Sequence, residues 1–200
     1  EEFGMGTRVP ILKLCEAEDP DLQAVAEYVY EHIFLRYTMK QWGQKPEEIS
    51  PEVTGRVPVL LSKDIRYFSD HYQGMPLFGY KELFKEILSY PSIDIQFHTD
   101  AKDVLKLENG ENYLYGERYP GKIIYTGPID EFFHCCYGRL PYRSLRFVLE
   151  HYKEDSYQPK AVVNYTVSEE YTRITEFKKL TGQEAVGTTI MKEYPCAYTD

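Results

Sequence analysis

A chain of 200 residues with 42% hydrophobic content can bury one sizeable core or two small ones, and its formal net charge of −9 comes with Lys and Arg scattered rather than striped, which argues against a nucleic-acid partner. No apolar run approaches the roughly 18 residues of a spanning helix and no basic-then-apolar leader opens the chain, so no membrane partner is expected and the cytoplasm is the expected location. The four cysteines, Cys15, Cys135, Cys136 and Cys196, show no C-x-x-C spacing and no companion histidine cluster, so they read as free thiols and no metal site is expected.

In chain order, Asp19 before Pro20 reads as an N-cap with proline at the first helical position, and Leu22, Val25, Ala26, Val29, Ile33 and Tyr37 then recur at helical spacing. The stretch 43–58 carries Pro46, Pro51, Gly55 and Pro58, too many breakers for more than a short helix or a loop, and a mobile segment is expected there. Tyr80, Leu83, Phe84, Ile87 and Leu88 mark a second amphipathic helix closed by Pro91. Beyond Pro91 the period changes to two, at Ile93, Ile95 and Phe97 and again at Leu145, Phe147, Leu149 and His151. Further strands are predicted at 113–115, 122–125, 158–165, 171–178 and 188–194, with turns at Asn109-Gly110, Pro120-Gly121 and Thr181-Gly182. Short connections between the last three favour antiparallel pairing. The expected fold is therefore α+β, a helical subdomain over 1–90 followed by a mainly antiparallel β-sheet subdomain over 91–200. The opening Glu1-Glu2-Phe3 and the stop at Thr199-Asp200, directly after a strand-like run, read as a cut at both ends.

No G-x-G-x-x-G occurs, so the chain is not expected to build a dinucleotide-phosphate loop by itself. His32, His71, His98, His134 and His151 each stand apart without a catalytic signature, and structural or solvated roles are expected for them. Nineteen tyrosines and ten phenylalanines suit a polar aromatic cleft, although most such residues serve half-buried strands. Tyr37 and Trp42 flank the end of the long helix, Arg56 lies in the breaker-rich segment, Arg143 in the basic stretch 138–143, and Arg173 in a strand. Planar guanidinium groups give phosphate oxygens paired, charge-assisted hydrogen bonds, so arginines beside stacking rings form a candidate nucleotide-diphosphate site. Taken singly, each arginine is more often a surface ion-pair partner.

The run Tyr37-Thr38-Met39-Lys40-Gln41-Trp42 does not stand alone. It is followed in order by Arg56-Val57-Pro58-Val59, Tyr67-Phe68, Gln73-Gly74-Met75-Pro76, Tyr125-Thr126-Gly127-Pro128-Ile129-Asp130, Gly138-Arg139-Leu140, Tyr142-Arg143, Tyr171-Thr172-Arg173-Ile174-Thr175-Glu176 and Lys192-Glu193-Tyr194. Together these resemble the UDP-galactopyranose mutase family over nearly the whole chain. The resemblance implies an isomerase that interconverts UDP-galactopyranose and UDP-galactofuranose with reduced FAD, for cell-surface polysaccharide biosynthesis. It implies that Arg173 and Arg56 are catalytic, Arg56 on the loop that closes over substrate. Phe34, Tyr37, Thr38, Trp42, Tyr67, Arg143, Asn164 and Glu193 are implied as substrate-binding, with the ring that stacks on uracil left between Phe34 and Tyr37 because Ile33 replaces an aromatic residue. Thr126, Gly127 and Pro128 resemble a cofactor-binding piece of the FAD domain, so 91–200 is expected to carry a remnant of that domain.

The glycine-rich FAD fingerprint and the tyrosine-rich C-terminal segment of the family are not in this sequence. The chain alone is therefore expected to be inactive and to bind no FAD, its partners being UDP-galactose or UDP, the FAD-binding segments of the same protein, and a second copy in a homodimer. The alternative is a non-catalytic nucleotide-sugar-binding module. A remnant of an amine-oxidase-like flavoprotein fits less well, because 37–42 and 171–176 are not features of that wider group.

Overall fold

The computed structural model describes residues 2–45, 48, 50, 58–66 and 68–198. The chain clusters into two compact units, one made of residues 1–77 with 142–200 and the other of residues 78–141. These bounds differ from the 1–90 and 91–200 halves read from the sequence, because the second amphipathic helix clusters with the hairpins after it and the first helices cluster with the C-terminal sheet.

The first unit begins with a short antiparallel pair, β1 (Arg8–Val9) against β2 (Val59–Leu60), with α1 (Ile11–Leu14) between them in sequence. The predicted long helix then follows as α2 (Pro20–Val29), a π-helical stretch (Tyr30–Leu35) and α3 (Arg36–Trp42). Asp19 caps it as expected, its carboxylate accepting from the N–H groups of Asp21 and Leu22 at 3.0 and 3.2 Å. Val9, Ile11, Leu14 and Ala26 form the buried centre, and Leu22, Val29, Tyr30 and Phe34 pack around it. Val25 and Ile33, expected on the apolar face, are instead exposed. Val25 lies on α2 outside the row of Leu22, Ala26 and Val29, whereas for Ile33 the widened π turn is the reason: it advances the inward-facing row by one residue, so that Phe34 rather than Ile33 continues the face of Ala26 and Tyr30.

The second unit holds the predicted amphipathic helix, α4 (Gly79–Leu88), then α5 (Ala101–Val104) and a three-stranded meander of β3 (Leu105–Glu108), β4 (Glu111–Leu114) and β5 (Glu117–Arg118). Asn109 and Gly110 both take positive φ, 51° and 79°, which matches the twist of a two-residue hairpin turn. A one-turn helix, α6 (Ile129–Phe132), comes after it. Two expected strands are absent. Residues 93–97, which alternate, and 122–125, which do not, join no ladder, and without a partner edge their backbone polar groups have nothing to pair with in a sheet.

The chain returns to the first unit with a four-stranded antiparallel sheet in the order β6-β9-β8-β7, from β6 (Arg143–Tyr152), β7 (Val162–Asn164), β8 (Arg173–Glu176) and β9 (Thr188–Ala197), with α7 (Phe177–Thr181) after β8. The expected strand 158–165 shortens to three residues because the N–H groups of Tyr157 and Gln158 bond the Glu176 carboxylate, at 3.0 and 3.1 Å, instead of a ladder. The strand expected over 171–178 likewise ends at Glu176, where α7 starts and then stops at Gly182 with φ 70°. Helices followed by antiparallel strands make this an α+β chain, as the sequence indicates.

Candidate functional site

Within the first unit, the end of α3 is bound to the sheet by two hydrogen bonds that span the sequence. Arg143, at the start of β6, donates from Nε to the Gln41 carbonyl at 3.2 Å. Lys40 donates from Nζ to the carbonyl of Tyr165, the residue after β7, at 2.6 Å. Burial lowers the Lys40 pKa, with Glu169 opposing that shift. The helix that carries Tyr37, Thr38 and Trp42 is thereby held to both outer strands at one end of the sheet. Tyr37 and Thr38 are half-buried, and Trp42 is exposed beside Gly43, whose φ of 63° ends the helix.

Across the sheet, strand register places Asn164, Arg173, Glu193 and Phe147 in one row. Directly paired residues point to the same face, so Asn164, Arg173 and Glu193 present their side chains together. Arg173 donates from Nε to Asn164 Oδ1 at 3.1 Å, and its Nη1 lies 3.7 Å from Glu193 Oε1. The Arg173 side chain is 39% exposed, whereas that of Glu193 is 9% exposed. On the opposite face, Tyr165, Tyr171 and Tyr194 form an edge-to-face chain, with Arg146 4.3 Å from the Tyr194 ring centroid and Lys192 paired to Glu150 at 2.8 Å. The cations of that face are thus engaged locally, and Arg173 is the arginine of the row that reaches out from the sheet.

The structure brings Asn164, Arg173 and Glu193 together on the sheet and ties Tyr37, Thr38 and Trp42 to it through Arg143 and Lys40. Phe34 packs against the helical core. Arg56 and Tyr67 lie outside the described residues. Lys40 was visible in the motif but carried no predicted role, since a lysine in sequence does not reveal that a distant carbonyl will receive it.

Thr126, Gly127 and Pro128 belong to the second unit and precede α6. Tyr125 folds over Gly127, where an added Cβ would lie 2.4 Å from the Tyr125 hydroxyl, and its ring packs on Phe132 at 4.6 Å. Asp130 is buried and accepts from the Leu140 N–H at 3.0 Å. Among the described residues no helix is long and apolar enough to cross a membrane, and no group of three His, Cys, Asp or Glu converges as a metal site. All four cysteines are free.

A family model described as UDP-galactopyranose mutase matches residues 32–200. The chain is 32% identical to a UDP-galactopyranose mutase of Mycoplasma genitalium, over 99% of the chain and 50% of the relative. It is 36% identical to a probable UDP-galactopyranose mutase of Klebsiella pneumoniae, over 88% of the chain and 44% of the relative. A dTDP-fucopyranose mutase of Escherichia coli is 35% identical over 88% of the chain and 46% of its own length. The chain spans about half the length of these curated relatives.

Proposed function

This chain belongs to the UDP-galactopyranose mutase family, and from that membership we propose that it supplies the nucleotide-sugar cleft of an isomerase that interconverts UDP-galactopyranose and UDP-galactofuranose. The observation that carries the reading is Arg173, a guanidinium held outward from the sheet in the unit that also contains the Tyr37 to Trp42 helix. Its role is to meet the diphosphate, where paired charge-assisted hydrogen bonds suit phosphate oxygens. Tyr37 and Thr38 serve the nucleoside, and Trp42, exposed at the helix end, serves the sugar. Arg56 and Tyr67 complete the cleft in this reading, with Arg56 closing over the substrate. Arg143 contributes by holding the helix end, since its Nε is taken up by the Gln41 carbonyl. The cytoplasm is the proposed site of reaction, with the product entering cell-surface polysaccharide.

Reduced flavin would supply the electron-rich centre that exchanges with the departing diphosphate. Around Thr126 to Pro128 the described residues leave little room for it. Tyr125 occupies the face of Gly127 that a close-approaching ligand would need, and only a one-turn helix follows. The Thr126 to Pro128 segment therefore contributes at most one edge of a flavin site, and the rest is assigned to other parts of the same protein.

The dTDP-fucopyranose mutase relative, at nearly the same identity as the Klebsiella one, supports a second reading in which the substrate is a dTDP-sugar. Chromatographic assay of the protein from its complete reading frame, with reduced FAD, separates the readings. Interconversion of UDP-galactose forms is expected. Activity on dTDP-fucose alone would favour the second reading, and activity on neither would favour a non-catalytic binding module.

A further inference from the structure

Arg173 sits between two partners fixed by sheet register, Asn164 on the edge strand β7 and Glu193 on the inner strand β9. Its Nε–H is spent on Asn164 Oδ1 at 3.1 Å, and Nη1 faces Glu193 Oε1 at 3.7 Å. Among the described residues Nη2 makes no hydrogen bond, which leaves that end of the guanidinium for a ligand. The backbone beneath is equally constrained. Thr172, fully buried, donates from both its N–H and its Oγ1 to the Glu193 carbonyl, at 2.8 and 3.2 Å, and this pins the β8–β9 register at the Arg173 row.

Glu193 is buried, and a carboxylate would in any case repel a diphosphate. We propose that Glu193 and Asn164 are positioning residues, which hold the Arg173 guanidinium in its binding orientation and do not themselves bind the substrate. This rests on the reading of Arg173 as the diphosphate contact. An unrestrained arginine loses rotamer freedom when it grips an anion, and the hydrogen bond to Asn164 together with the ion pair to Glu193 removes part of that loss before the ligand arrives. Glu193 also keeps a buried negative charge beside the cation without competing for the outward face.

The test is a double-mutant cycle on the protein from its complete reading frame, with UDP as the probe in calorimetric titration and thermal unfolding followed in parallel. Arg173→Ala is expected to weaken UDP binding about tenfold or more. Glu193→Gln and Asn164→Ala are each expected to weaken it several-fold, and in the Arg173→Ala background neither should add more than about twofold. A residue with a merely structural role, or one touching the ligand directly, would keep its effect when Arg173 is gone. Additive losses would thus overturn the proposal while leaving the diphosphate reading intact, as would single variants that bind UDP like the wild type. Unchanged binding in Arg173→Ala would overturn the diphosphate reading and the positioning role with it. Asn164→Ala lies on an exposed edge, so that arm of the cycle can be completed even where a Glu193 variant unfolds.

Discussion

Glu176 gives the sharpest stability prediction, because its side chain is fully buried at the end of β8 and yet charged. One carboxylate oxygen accepts from the Tyr157 N–H at 3.0 Å and the Thr188 hydroxyl at 2.9 Å, and the other from the Gln158 N–H at 3.1 Å, with Lys179 Nζ 3.5 Å away. Burial alone would raise its pKa, but the two backbone donors, the Thr188 hydroxyl and Lys179 outweigh it and hold the carboxyl below its ordinary value. Glu176→Gln keeps one acceptor oxygen and turns an NH2 toward donors, so at least one buried donor loses its partner. Such losses cost about 1–3 kcal/mol each, and with the lost charge the expected destabilisation is about 3 kcal/mol. For a chain of this length that is a fall in Tm of about 10 °C. The pH dependence has a fixed sign. A carboxylate with a depressed folded pKa contributes stability above its ordinary pKa, 4.5, and that contribution is lost as the pH falls through the folded value. The gap between wild type and Glu176→Gln should therefore be full at pH 7 and shrink below about pH 4.5. Urea unfolding at several pH values measures it, and hydrogen exchange at the Tyr157 and Gln158 amides should accelerate in the variant. A cost below about 1 kcal/mol, or a gap that persists to pH 2, would refute the assignment of the carboxylate as the ionised anchor of that turn.

Gly187 precedes β9 with φ 73°, and a Cβ there would lie 2.4 Å from the Tyr152 carbonyl oxygen, so Gly187→Ala should cost about 3 kcal/mol in urea unfolding through left-handed strain and the clash together. Lys40→Met removes the bond to the Tyr165 carbonyl while keeping the aliphatic stem. It should cost about 1 kcal/mol and, if the tether holds α3 for binding, weaken UDP affinity in titration of the complete protein.

Much of the fold was legible because its signals are local. Asp19-Pro20 caps and starts a helix through its own side chain and fixed φ, and Asn109-Gly110 turns a hairpin because both residues tolerate positive φ. The four-stranded sheet was legible in outline, β6 from its alternation and the antiparallel pairing of the last strands from their short connections. What escaped depends on partners distant in sequence. Residues 93–97 alternate as cleanly as a strand but meet no edge, and Tyr157 and Gln158 give their N–H groups to the side chain of a glutamate that lies more than a dozen residues on. The π turn escaped for a different reason: a period of 3.6 is assumed in the reading of a helix face, and one widened turn was enough to exchange Ile33 for Phe34.

The same distinction applies to the candidate site, and it changes how the family motifs are understood. In 37–42, Lys40 and the Gln41 carbonyl are occupied in tying the helix to the sheet. In 171–176, Thr172 pins the Glu193 carbonyl, Ile174 is fully buried and Glu176 anchors a turn, so within β8 Arg173 alone is turned outward beside buried neighbours. A motif in sequence gives every position equal weight. The structure divides it between residues that build a frame and the few the frame holds out. Glu193 falls on the framing side by its burial and Asn164 by its bond to the Arg173 Nε, although the resemblance groups both with the substrate contacts. That is the reason the decisive comparison is between single and double variants around Arg173: loss of binding on substitution is expected of frame and contact alike, and only dependence on Arg173 tells them apart.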